Sequence, residues 1–243
     1  MSSQLMSSQH IVIVGGSSGI GLATARHFLA SGARVTITGR NETRLAEARR
    51  QLGLEAQVMQ MDAAAADTLP AQFAQIGSFD HLVLALGSNK GVGPFASIDL
   101  ADVKLGFEEK VYAHFATAQA ALPFLNPMGS ITFVSGLAAL TAMPGTAGIG
   151  AANAAVAALV PILAVELKPL RVNGVCPGVI DTPWWAAIPE ERKQALFAQF
   201  GAKTPVGRVG QPEDIAKAIA FLIGDDFMSG HMLVCDGGLR YMA

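Results

Sequence analysis

The chain has 243 residues, of which 51% are hydrophobic and 15% are charged, and its formal net charge is −2 at pH 7. This composition excludes a disordered polymer, and the length provides enough core for one α/β domain. The near-neutral charge disfavours nucleic acid and an anionic membrane surface as primary partners. Cys176 and Cys235 have no metal-ligand spacing, so we expect free thiols, no metal site and a cytoplasmic location.

The first residues and one long uncharged stretch are candidates for targeting or membrane segments. Residues 1–9 have neither a basic end nor an apolar run, and they predict a disordered lead-in before a folded domain over 10–243. No charged residue occurs from Phe115 to Val165, but several prolines and glycines, Pro161 among them, interrupt this stretch. A transmembrane helix needs about 20 uninterrupted apolar residues, so we expect buried elements there and no membrane span.

Strand-like apolar runs alternate with helical segments along the chain. The expected strands are Ile11–Val14, Arg34–Thr38, Gln57–Met61, His81–Leu86, Ile131–Val134, Val172–Val175 and Met232–Cys235. The expected helices are Gly19–Ser31, Glu42–Leu52, a short one after the third strand, Ala101–Leu122, Gly148–Leu167, Pro189–Phe200 and Pro212–Ile223. Such β-α-β repetition predicts a single α/β domain with a Rossmann-type, doubly wound sheet of seven parallel strands, which binds ligands at the carboxyl ends of its strands.

A glycine-rich turn follows the first strand. Residues 11–21 read Ile-Val-Ile-Val-Gly-Gly-Ser-Ser-Gly-Ile-Gly, and a helix begins near Ser18. Small residues let the backbone approach a ligand, and the helix N-terminus offers free N–H groups and the positive end of its dipole. The turn therefore predicts a pyrophosphate cradle formed by Gly15, Ser17, Ser18, Gly19, Ile20 and Gly21. The alternative is a glycine-rich corner without a ligand.

The glycine spacing, with Val14 in place of the usual Thr, resembles that of the short-chain dehydrogenases/reductases. The resemblance covers nearly the whole chain. Asp62 matches the family's adenine-contacting Asp, the run 177–182 matches its Pro-Gly segment beside the nicotinamide, and 211–215 and 236–238 match its C-terminal pattern. The resemblance implies a dinucleotide-dependent oxidoreductase of small molecules, and it implies further cofactor contacts at Asp62, Gly87, Pro177, Gly178, Ile180 and Thr182.

The end of the second strand predicts which nucleotide binds. An acidic residue there would hold the ribose hydroxyls of NAD and repel a 2′-phosphate. The chain instead has Gly39-Arg40-Asn41, with no carboxylate and with an arginine that can bind phosphate through two N–H groups. We therefore expect NADP(H) in preference to NAD(H). The alternative is that Arg40 only pairs with Glu42.

The resemblance also implies four catalytic residues, and the sequence departs from the family at each. The family uses a Tyr for proton transfer, a Lys that lowers the Tyr pKa and binds the nicotinamide ribose, a Ser that orients the carbonyl, and an Asn that supports the Lys. Alignment places Ile149 at the Tyr and Asn153 at the Lys. It places Gly136 at the Ser and Lys110 at the Asn. We hypothesise that Lys110 and Asn153 have exchanged places and that Lys110 restores the ribose contact. Chance substitution is the alternative.

Two further residues are candidates for the missing chemistry. His114 shares a helix face with Lys110 and has a suitable pKa, although a core or interface position is the alternative. Ser135 would reach the substrate if the turn shifts by one residue, or it is only a small strand-end residue. Positioned acid–base catalysis contributes about 10²–10⁴-fold. Without it, hydride transfer would continue more slowly, or at full rate on a substrate that carries its own proton, such as a protonated imine.

The leading interpretation is an NADP(H)-dependent oxidoreductase with a non-standard catalytic set and a small apolar carbonyl or imine-like substrate. The alternatives are a nucleotide-binding pseudoenzyme for sensing or scaffolding, or a partner that stabilises an active homologue. Trp184 and Trp185 predict an apolar substrate wall, or else a lid or interface anchor. The apolar helix near Gly148–Val165 needs cover on more than one side, which predicts a homodimer or homotetramer.

Overall fold

The computed structural model describes residues 8–242, and its centre is one parallel sheet of seven strands in the order β3-β2-β1-β4-β5-β6-β7. The strands are β1 (His10–Val14), β2 (Arg34–Gly39), β3 (Gln57–Gln60), β4 (Phe79–Leu84), β5 (Leu125–Val134), β6 (Arg171–Pro177) and β7 (Met232–Cys235). The order reverses between β1 and β4, which is the ligand-binding position of doubly wound sheets. The predicted single-domain, Rossmann-type α/β fold is confirmed.

Eight α-helices connect the strands within the described residues. They are α1 (Gly19–Ala30), α2 (Glu42–Leu52), α3 (Leu69–Ile76), α4 (Leu100–Phe107), α5 (Ala113–Ala121), α6 (Ala147–Glu166), α7 (Glu190–Lys203) and α8 (Pro212–Gly224). A π-helical turn, Glu108–Tyr112, joins α4 to α5. The predicted helix over 101–122 is therefore present, but it contains a π turn that the sequence did not indicate. A π turn adds a residue to the helical repeat, and such turns are frequent at functional sites.

Local signals in the sequence explain where several helices begin and end. The Asn41 side chain accepts a hydrogen bond from the N–H of Arg44 and caps α2, whose end is followed by Gly53 at φ +86°. At the start of α8, Gln211 and Asp214 form a reciprocal capping box around the first turn.

The sheet buries side chains on both of its faces. In β1, Val12 packs into the core of one face, while Ile11 and Ile13 pack into the core of the other. This alternation follows from the two-residue period of a strand, and it requires the continuous apolar run seen in the sequence. With both faces covered by helices, the carboxyl edge of the sheet is where a ligand can reach the strand ends.

Among the described residues, one helix, α6, is long and apolar enough to cross a membrane, judged by length and composition alone. It continues through Pro161, as the predicted helix Gly148–Leu167 requires, so this proline does not interrupt the apolar run. Val156 and Val160 on its inner side pack into the core of the domain, which holds the helix across the proline. Ile162 and Val165 on its outer side are exposed, and their cover by another subunit stays a prediction.

The predicted disordered lead-in, residues 1–9, lies outside the described residues except for its last two. Of these, Gln9 is bonded to the sheet: its carbonyl accepts a hydrogen bond from the N–H of Arg34, and its side-chain Oε1 lies 3.1 Å from Nε2 of His81. Both cysteines are free thiols, Cys176 buried and Cys235 half-buried.

Candidate active site

The turn after β1 is a cradle made of backbone. Gly15 has φ +85° and Gly19 has φ +50°, conformations that favour glycine. A Cβ on Gly15 would lie 2.5 Å from the carbonyl oxygen of Ala85, and a Cβ on Gly21 would collide with the carbonyl of Gly15. In the described residues, the side chain of Ser18 makes no capping hydrogen bond at the start of α1. The first N–H groups of that helix are therefore available to an anion.

A cavity of about 190 Å³ opens beside this cradle. Several predicted cofactor residues converge on it, namely Gly15, Ser17, Ser18, Arg40, Asp62 and Gly87. The remaining ones do not line it, namely Gly19, Ile20, Gly21, Pro177, Gly178, Ile180 and Thr182. Thr182 nevertheless borders the glycine turn, since a Cβ on Gly19 would lie 3.2 Å from the Thr182 Cβ. A turn whose glycines leave no room for a Cβ, beside a cavity lined by Arg40 and Arg44, fits the phosphates and adenosine of a dinucleotide.

Arg40 occupies the wall of the cavity that follows β2, and it is paired. Its Nη1 lies 3.1 Å from Oε1 of Glu109, so its partner in the structure is Glu109 rather than Glu42. The second carboxylate oxygen, Oε2, accepts a hydrogen bond of 2.7 Å from the hydroxyl of Ser88. Glu109 was not among the residues predicted from the sequence. The sequence feature that could have identified Glu109 is its position directly before Lys110, which the alignment places at a catalytic position of the family.

Lys110 lies in the π turn and is buried. Its Nζ donates to the backbone carbonyls of Leu86 at 3.0 Å, Val134 at 2.9 Å and Ser135 at 3.3 Å. Val134 ends β5, Ser135 follows it, and Leu86 lies two residues after β4, so the ammonium ties together the segments in which the two strands end. Burial lowers the pKa of Lys110 to about 8. Three acceptors match the three N–H groups of the charged form.

Ser135 and Asn153 complete a connected group with Lys110. The hydroxyl of Ser135 donates to the carbonyl of Asn153 at 2.8 Å, and the carbonyl of Ser135 accepts from Lys110. Asn153 is 5% exposed, and its amide occupies the space beside Gly136, where a Cβ would lie 2.9 Å from Nδ2. The structure therefore brings together three of the four predicted catalytic residues.

His114, the fourth candidate, is a core residue. Its ring is fully buried, with Nδ1 2.6 Å from the carbonyl oxygen of Lys110 and Nε2 3.2 Å from that of Leu84. The ring also stacks on Phe133 at a centroid distance of 5.9 Å. Burial lowers the pKa of His114 to about 3, so the imidazole is neutral at pH 7. His114 is therefore not placed to supply a proton to a substrate, and its position agrees with the alternative of a core histidine.

A further reactive side chain at this edge is the thiol of Cys176, the next-to-last residue of β6. Burial raises its pKa to about 11, which keeps it protonated. In residues 8–242, His, Cys, Asp and Glu side chains form no group of three or more that could hold a metal ion. Ile149, at the position of the family's Tyr, is half-buried, and its N–H donates to the carbonyl of Gly91 at 3.1 Å.

The segment after β6 closes against the loop after β4. The indole N–H of Trp184 donates to the carbonyl of Ser88 at 2.8 Å. The indole N–H of Trp185 donates to the carbonyl of Ile180 at 2.9 Å, and its ring meets the edge of Phe197 in α7 at 5.5 Å. Trp185 therefore anchors the segment after β6 to α7, whereas Trp184 connects this segment to the loop after β4.

Sequence comparisons place these features in a known context. A family model described as "Enoyl-(Acyl carrier protein) reductase" matches residues 14–240, a range that spans the glycine cradle, the cavity and the segment after β6. A short-chain dehydrogenase/reductase of Stachybotrys chlorohalonatus is 31% identical, covering 95% of this chain and 96% of the relative. A cis-4-hydroxycyclohexanecarboxylate dehydrogenase of Sinomonas cyclohexanicum is 33% identical, covering 93% of this chain and 94% of the relative.

Solved structures agree with the sequence comparisons. A short-chain dehydrogenase/reductase of Brucella melitensis, described as a glucose/ribitol dehydrogenase, superposes with a TM-score of 0.88 at 32% identity, over 97% of both chains. A small-chain dehydrogenase in complex with NADPH superposes with a TM-score of 0.82 at 28% identity, over 96% of this chain and 99% of the other. The chain therefore belongs to the short-chain dehydrogenase/reductase family and is an oxidoreductase of that type.

Proposed function

We propose that this protein is an NADP(H)-dependent oxidoreductase that acts on a small apolar carbonyl or imine-like substrate with a non-standard catalytic set. The observation that carries the proposal is the convergence of the glycine cradle, Arg40 and Asp62 on one cavity. The NADPH complex of one structural neighbour supports the same nucleotide. When bound, the nicotinamide supplies or accepts the hydride.

In this proposal the backbone of the turn from Gly15 to Gly21 binds the pyrophosphate. Arg40 binds the 2′-phosphate, and Asp62 contacts the adenine. Arg44 lines the same cavity and adds a second positive charge. Pro177, Gly178, Ile180 and Thr182 follow β6 and border the nicotinamide. The positive charges offset the phosphates, and the cradle donates N–H groups to them.

The catalytic proposal follows from the connected group of Lys110, Ser135 and Asn153. All three N–H groups of Lys110 are engaged by backbone carbonyls. We therefore assign Lys110 a positioning role: it holds the segments that follow β4 and β5 beside the nicotinamide ring. This revises the hypothesis that Lys110 itself binds the ribose. The amide of Asn153, at the place of the family's Lys, is the group we assign to the ribose contact.

None of the four candidate residues has a proton free to give to the substrate. The three N–H groups of Lys110 are held by backbone carbonyls. Ser135 donates its hydroxyl proton to a backbone carbonyl, and His114 is enclosed in the core. We therefore propose a substrate that carries its own proton, of which a protonated imine is the simplest class. Such a substrate does not need the positioned acid that elsewhere contributes about 10²–10⁴-fold.

Assembly and location complete the proposal. Phe115 on α5 and Ile162 and Val165 on α6 are exposed apolar side chains, and their burial favours a homodimer or homotetramer. The two free thiols favour a reducing, cytoplasmic environment.

The proposal is tested first by binding and then by turnover. Titration of NADPH and NADH fluorescence should show tighter binding of NADPH, and Arg40→Ala should weaken NADPH much more than NADH. Arg50→Ala, which removes an exposed arginine paired with Glu47 on α2, is the matched control. Assays with NADPH against aldehydes, ketones, quinones and imines then test turnover. Binding without turnover on every class would instead favour the pseudoenzyme.

A further inference from the structure

We propose that Glu109 determines nucleotide specificity, because its carboxylate competes with the 2′-phosphate of NADP(H) for Arg40 and thereby limits the preference for NADP(H) over NAD(H). The inference deepens the proposed function and rests on nucleotide binding at the cavity beside the glycine cradle.

The first support is the position of Glu109. It lines the same cavity as Arg40 and Asp62, and its side chain is 19% exposed. Its Oε1 lies 3.1 Å from Nη1 of Arg40, while its Oε2 accepts a 2.7 Å hydrogen bond from Ser88. The Ser88 hydroxyl in turn accepts from the N–H of Lys90 at 3.1 Å. The carboxylate is therefore held toward the cavity from two sides.

The neighbouring Glu108 shows that this placement is specific. Both residues belong to the π turn, but Glu108 pairs with Lys104 at 3.8 Å and does not line the nucleotide cavity. The two glutamates carry the same charge and differ by one position in the chain. Only Glu109 faces the arginine that the 2′-phosphate would bind.

The second support is electrostatic. The Arg40 side chain is 62% exposed, and exposed ion pairs change an equilibrium constant by about fivefold at most. A ligand can therefore open the pair. A phosphate bound at Arg40 would lie close to a carboxylate that Ser88 still holds, and the like charges repel each other. A ribose without the phosphate would instead find a hydrogen-bond acceptor in the same carboxylate. Glu109 therefore opposes NADP(H) and favours NAD(H).

The experiment measures binding rather than activity. Adenosine 2′,5′-bisphosphate and adenosine 5′-diphosphate are titrated by calorimetry into the wild type, Glu109→Gln and Glu108→Gln. We expect Glu109→Gln to bind the 2′-phosphorylated probe about fivefold more tightly, with unchanged or weaker binding of the diphosphate. Glu108→Gln controls for the loss of one negative charge from the π turn, and it should leave the ratio of the two affinities at the wild-type value.

Three results would overturn the proposal. One is an equal change for both probes in Glu109→Gln, which would make Glu109 only an anchor for the loop at Ser88. Another is the same change of ratio in Glu108→Gln. The third applies if Glu109→Gln melts at a lower temperature than the wild type: Glu109→Ala must then reproduce the changed ratio, and its failure to do so refutes the role.

Arg40→Ala separates this proposal from the proposed function. If Arg40→Ala loses the preference for the 2′-phosphorylated probe while Glu109→Gln does not increase it, then the role of Glu109 is refuted and the nucleotide assignment stands. If the wild type binds neither probe, the nucleotide site fails, and the role of Glu109 fails with it.

Discussion

Substituting Gly136 by alanine tests whether Asn153 has taken the space that the family gives to its serine. The added Cβ would lie 2.9 Å from Nδ2 and 3.2 Å from Cγ of Asn153. Asn153 is 5% exposed and sits in the second turn of α6, so its side chain has little room to retreat. Gly136 has φ 179° and ψ 152°, an extended backbone that alanine adopts without strain. Any loss of stability must therefore come from the new contact.

The magnitude follows from the cost of overpacking. Adding a methyl group to a filled site costs about 1–3 kcal/mol. For a domain of this size, each kcal/mol lowers the melting temperature by about 2–4 °C. We therefore expect Gly136→Ala to lower the melting temperature by about 2–12 °C. In an Asn153→Ala background the contact is absent, so the same substitution should cost little, and the double-mutant cycle should give a coupling of about 1–3 kcal/mol.

The assay is thermal and urea unfolding followed by far-UV circular dichroism at one fixed protein concentration. Gly87→Ala is the matched control, because no atom lies within 4 Å of the added Cβ and its backbone is not left-handed. It should change stability by less than about 0.5 kcal/mol. A steric clash with Asn153 is refuted if Gly136→Ala costs no more than Gly87→Ala, or if its cost is the same with and without the Asn153 side chain.

Three further predictions concern pH, the buried Lys110 and the two tryptophans after β6. Burial lowers the pKa of His81 to about 4, below the 6.5 of the unfolded chain, so the unfolded state binds more protons between these values. His81 should therefore lower the free energy of unfolding by up to about 3 kcal/mol as the pH falls from 6.5 toward 4. His114, whose pKa burial lowers to about 3, contributes to the same acid limb, so His81→Gln should make this limb shallower in urea melts without abolishing it. Lys110→Met leaves three carbonyls without their donor and should cost at least about 1 kcal/mol, measured in the same melts, whereas an unchanged midpoint would refute the strand-tying role. In a Trp185→Phe variant, the fluorescence of Trp184 should change on NADPH binding, because its indole is bonded beside Gly87, and an unchanged emission spectrum at saturation would contradict this.

Much of the fold could be predicted because it depends on local patterns. The strands were predicted to within a few residues at most ends because a continuous apolar run identifies a buried parallel strand. An exception is β5, which begins at Leu125 rather than at Ile131. Its first residues include Pro127 and Gly129, which do not indicate a strand. Pairing of Leu125 with Phe79 of β4 extends it, and that contact depends on the neighbouring strand.

The individual strands and the glycine cradle could be predicted from the sequence alone, because each follows from the order of residues within one short segment, and the alternation of strands and helices predicted the edge where the ligand binds. The partners of the site residues became visible only in the folded chain. Arg40 meets Glu109 across 69 positions of chain, Lys110 reaches carbonyls of two strand ends, and His114 turns into the core. These contacts depend on how the helix after β4 crosses the sheet edge and on the π turn that changes its faces. The helical period of the sequence indicates neither the crossing nor the π turn, so these roles could be recognised only in the folded chain.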